Sequence, residues 1–92
     1  MKDDKGLYYY PDPSDTQTRV YVREAPHGVE FRLWRSDHPE VWEQHHWLAY
    51  EVVAAAATMY KERGTGVNPL TFYDLNVARA LIKDEARKSN GR

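Results

Sequence analysis

The sequence of 92 residues contains no cysteine. Disulfides, thiolate nucleophiles and cysteine-based zinc sites are therefore excluded, and the lack fits a reducing compartment. No apolar run approaches the roughly 20 residues of a membrane-spanning helix. The opening residues Met1 to Lys5 lack the apolar stretch of a signal peptide. A cytoplasmic protein is expected. Charge of one sign is also lacking: the net charge is −1, so no global field draws in nucleic acid. No internal repeat or low-complexity segment occurs. Proline and glycine number five each, and most of them fall where the chain should turn.

What is present is ordinary for a globular chain, with 41% apolar and 29% charged residues. A single domain over 1–92 is expected, with frayed termini at 1–6 and 89–92. The charge is segmented. Residues 19–35 carry four Arg against two Glu, a net of +2. Residues 36–63 carry two basic against five acidic groups, −3, and residues 64–92 carry five against three, +2.

Asp37 to Arg63 reads as one long helix around which the rest is arranged. Asp37 and Glu40 are spaced like a capping box, and Pro39 suits a first turn. Ala54 to Ala57 is a run of the best helix former, and Gly64 and Gly66 stop the helix. At 100° per residue, Val41, Trp42, Leu48, Ala49, Val52, Val53, Ala55, Ala56, Met59 and Tyr60 form the expected core stripe, with His45 in its middle. Trp47, Tyr50, Ala54 and Ala57 form a second apolar patch on the face expected to be wet. Such a helix would be roughly 39 Å long. A compact chain of this size is about 32 Å across, so the helix should overhang and need something to lie against.

Leu7 to Tyr10 reads as a short edge strand ended by Pro11 and Pro13. Arg19–Glu24 and Val29–Arg35 form the clearest hairpin, with Ala25-Pro26-His27-Gly28 as its turn. Val20, Val22, Val29, Phe31 and Leu33 should face the core. Arg19, Tyr21, Arg23, Arg32 and Trp34 should form a basic, aromatic outer face with Glu30. A second helix is expected from Thr71 to Lys88, with Thr71 and Asp74 at its start. It is apolar on two sides: Phe72, Leu75, Ala78 and Ile82 on one, Tyr73, Val77, Ala80 and Leu81 on the other.

The expected fold is therefore α+β, a three-stranded antiparallel sheet followed by two helices, the first long and packed on the sheet. No cofactor or catalytic signature accompanies it. His38, His45 and His46 lack the convergent spacing of a metal site, and Glu43 near His46 is an ordinary wet-face pair. Ser14, Ser36 and Ser89 have no context that suggests an activated hydroxyl. Composition and pattern point first to a non-enzymatic interaction protein. It would be a homodimer through its helices, using Trp47, Tyr50, Ala54, Ala57, Tyr73, Val77 and Leu81. The alternative is a nucleic-acid-binding face built from Arg19, Tyr21, Arg23, Arg32 and Trp34, where arginine meets phosphate and aromatics stack on bases. The weakest alternative is a histidine-based enzyme or metal protein at a dimer cleft.

Overall fold

The computed structural model describes residues 1–44, 46–63 and 73–90. Eight elements follow one another: β1 (Lys2–Asp3), β2 (Gly6–Tyr9), β3 (Thr18–Ala25), β4 (Gly28–Arg35), α1 (Glu40–Gln44), β5 (Leu48–Ala49), α2 (Tyr50–Arg63) and α3 (Leu75–Asn90). The strands form one antiparallel meander in the order β1-β2-β3-β4-β5. The class is α+β, but the expected three-stranded sheet with two helices is corrected to a five-stranded sheet with three helices among the described residues.

The central hairpin follows its sequence pattern. Val20 pairs with Leu33, Val22 with Phe31 and Glu24 with Val29, so the aliphatic side chains share one face. Pro26 and His27 make the turn, and Gly28 resumes the strand at φ +134°. That value favours glycine alone. Gly6 repeats the device at φ +128° after the Asp4-Lys5 turn, where Asp3 Oδ1 accepts the Lys5 amide at 2.8 Å. Residues 1–6, expected to fray, thereby supply β1.

The long helix is broken. α1 covers one face of the sheet: the Trp42 ring lies 5.2 Å from Tyr21. α2 covers the other, where Val53 joins Val20, Val22, Val29, Phe31 and Ala78 in the core. A chain that covers both faces must cross the sheet edge, and β5 is that crossing. Leu48 and Ala49 pair with Phe31 and Glu30 of β4. Both partners are buried, so the backbone groups that β4 turns to this edge, one residue in two, gain a strand partner. A continuous helix could not do this. The 14 residues of α2 span about 21 Å, well within the 49 Å long axis of the molecule, and the overhang disappears.

The break also resets the helix phase. Val53 and Ala57 are buried, and Tyr50 packs against the core with its ring 6.4 Å from Phe31. Val52, Ala55 and Met59, assigned to the core stripe from sequence, are exposed. α3 starts later than expected. Asp74 is its cap: Oδ1 accepts the Asn76 amide at 2.9 Å and the Val77 amide at 3.3 Å. The Asp74 amide donates to the Tyr9 hydroxyl at 2.8 Å, tying the cap to β2. The expected start at Thr71 and the placement of His45 lie outside the described residues.

Candidate functional site

The outer sheet face is the surface on which the nucleic-acid alternative rests. Register places Arg19 opposite Trp34, Tyr21 opposite Arg32 and Arg23 opposite Glu30, so the expected residues are brought together. All but Arg23 are at least half-buried. Tyr21 is 0% exposed, enclosed by Tyr8 at 5.3 Å and by Trp42. Trp47, placed on the helix from sequence, instead lies on this layer, 6.2 Å from Trp42.

The arginines lie on rings. Arg32 sits 3.9 Å from the Trp42 ring centre and donates to the Trp42 carbonyl through Nε at 3.1 Å. Arg23 sits 4.3 Å over Trp47 and bonds Glu30 at 2.6 Å. Arg19 is held between Tyr8 at 4.6 Å and Trp34 at 4.7 Å. A cation over an aromatic face is stabilised by about 0.5–1 kcal/mol when exposed and by more when desolvated. Arg19 Nη1 also donates to Asp3 Oδ2 at 3.0 Å and to the Tyr21 oxygen at 3.3 Å. Its Nε is buried with no hydrogen-bond partner among the described residues. The Tyr21 hydroxyl donates to the same Asp3 oxygen, so β1 is latched onto this layer.

Electrostatics follow the geometry. Desolvation pushes the Asp3 carboxyl up, but the Tyr21 hydroxyl, the Lys5 amide and the Arg19 charge outweigh it and hold the group below its ordinary value. Burial, with the Asp3 carboxylate accepting its proton, pushes the Tyr21 phenol up to about 12. Burial does the same to Tyr9, also to about 12. The Arg23 hydrogen bond holds Glu30 below its ordinary value against desolvation, aided by His27, whose Nε2 is 3.0 Å from Glu30. Among the described residues no group of three or more His, Asp or Glu could hold a metal ion.

The helical surface expected for dimerisation is redistributed. Ala57 is buried, and Tyr50, Tyr73 and Leu81 pack against the core. Tyr73 has its ring 5.4 Å from Phe31. Ala54 and Val77 are half-buried. The solvent face of α2 instead presents Val52, 52% exposed, and Met59, 50% exposed, with Ala55 between them.

A cavity of about 610 Å³ lies where the β3–β4 hairpin tip, the start of α2 and α3 meet. Val29, Tyr50, Leu75 and Ile82 give it an apolar lining, while Glu24, Glu51, Arg79 and Lys83 carry its charges. No sequence pattern marks it, because its walls come from three segments far apart in the chain. Among the described residues no helix is long and apolar enough to cross a membrane. Compared with family models, curated proteins and solved structures, the chain matches none.

Proposed function

We propose that this chain is an interaction protein that pairs with a second copy of itself through the solvent face of α2. One observation supports this reading. Val52, Ala55 and Met59 recur at i, i+3 and i+7, hence on one side of the helix, and the two large side chains are about half exposed. A stripe of this pattern is self-complementary. In a two-fold antiparallel contact Val52 meets the partner's Met59, and Ala55 sits at the crossing, where a small residue lets two helices approach to about 8 Å. Methionine adapts its shape to such a contact.

The test is sedimentation equilibrium across a wide concentration range. The expected result is a reversible dimer that Val52→Asp with Met59→Asp converts to monomer, while the circular dichroism spectrum stays unchanged. A wild-type chain that remains monomeric at high concentration overturns the reading. Against the nucleic-acid alternative, Arg19 and Arg32 are half-buried against the rings on which they lie, Arg23 is exposed but shared with Glu30, and Tyr21 is closed to a base. Titration with mixed oligonucleotides at low salt tests it directly.

A further inference from the structure

The cavity between the hairpin tip and α3 has three properties that together define an occupant. First, its charges are sorted by element. Arg79 and Lys83 lie four apart, on one side of α3. Glu24 comes from β3 and Glu51 from α2. None of these four has a salt-bridge partner among the described residues. Two cations on one wall and two carboxylates on others leave the lining balanced, which suits a ligand with both charges and no net charge.

Second, the side chains between those charges are apolar. Val29 is 9% exposed, and Ile82 is half-buried. A volume of about 610 Å³ is within the roughly 300–1,000 Å³ of small-ligand sites. A second hollow of about 350 Å³ shares Glu24, Ile82 and Ala86 with the first, so an elongated body can extend past Ile82.

Third, backbone is available. β5 pairs with β4 only at Glu30 and Phe31. Of Gly28 and Val29, which line the cavity, one turns its N–H and C=O to that edge, where no described strand pairs with it. An extended peptide can add to such an edge through main-chain hydrogen bonds.

We propose that this cavity binds a short apolar peptide with free termini, its carboxylate on Arg79 and Lys83 and its ammonium towards Glu24 and Glu51. The site is separate from the α2 stripe, so its test stands whether or not the chain dimerises. The probe is trileucine, added to the full chain and followed by amide chemical shifts and calorimetry. Saturable shifts are expected at Gly28, Val29 and Ile82. Arg79→Ala with Lys83→Ala should weaken binding by roughly tenfold or more, since each removes a charge-assisted contact. C-amidated trileucine should bind the wild type about as weakly and be indifferent to those two substitutions. N-acetylated trileucine should likewise lose its sensitivity to Glu24→Gln with Glu51→Gln. All four side chains are exposed, so the variants should fold, and the amide spectrum verifies it. Absence of saturable shifts at millimolar peptide overturns the proposal. So does equal binding of the amidated peptide, or of the acetylated one.

Discussion

Replacing Tyr21 with phenylalanine isolates one atom of the outer layer. The ring keeps its place against Tyr8 and Trp42, and only the hydroxyl is lost, which donates to Asp3 and accepts a longer bond from Arg19. A hydrogen bond to a charged group contributes about 1.5–3 kcal/mol. Asp3 is 25% exposed and keeps Arg19 at 3.0 Å, so water and the guanidinium offset part of the loss. The expected cost is therefore at the lower end, about 1.5 kcal/mol, or roughly 6–12 °C in Tm for a chain of this size.

Urea denaturation followed by tryptophan fluorescence reads that cost. The Asp3 pKa is depressed in the folded state. Its contribution is present above the unfolded carboxyl pKa and lost as pH falls through the folded value. The penalty of Tyr21→Phe should accordingly shrink below about pH 3.8. It should also shrink in an Asp3→Asn background, because the two groups share one interaction. An unchanged urea midpoint at neutral pH, or a full penalty in Asp3→Asn, would refute the latch of β1 onto the outer layer.

Four further outcomes follow from the same structure. Val53→Ala should cost about 1.5–3 kcal/mol, the range for burying an apolar side chain, and Val52→Ala close to nothing in the monomer; equal costs there would restore the helix phase read from sequence, which put both valines in the core. Trp42→Ala should cost about 3 kcal/mol, the low end for truncating a large aromatic because Trp42 is half-buried, and an unaffected denaturation curve would mean α1 does not cover Tyr21. Glu30→Gln should flatten part of the stability loss on acidification, because the depressed Glu30 pKa makes its contribution disappear as pH falls through the folded value. Absorbance titration near 295 nm should show two of the seven tyrosines ionising only at about 12. Since the unfolded chain releases those protons near pH 10, stability should fall as pH rises above that value.

The amino-acid sequence by itself determined the central hairpin and its two faces. Period-two alternation over Arg19–Glu24 and Val29–Arg35 is a local property, and Pro26 and Gly28 fix the turn between the arms. It also determined that Ala54–Ala57 is helical, since backbone propensity needs no partner. Tertiary structure decided where the helix could not continue. Capping and propensity signals gave no reason to break Asp37–Arg63. The reason is that a sheet with aliphatic residues on one face and Tyr21, Arg32 and Trp34 on the other has two faces to cover. One segment covers both only by crossing the edge at Leu48–Ala49.

A signal for that crossing was present. Trp42 and Trp47 are the two indoles outside the hairpin, and the outer aromatics needed a cover. Once the chain crosses, Leu48 and Tyr50 set the phase of α2 from the core outward, so Val52 and Met59 turn to solvent while Ala57 turns in. Helical periodicity tells which residues share a face, but only packing tells which face is buried. The cavity at the hairpin tip belongs wholly to the tertiary level. Glu24, Glu51 and Arg79 are unremarkable surface residues in sequence, and they line one hollow only because β3, α2 and α3 converge there.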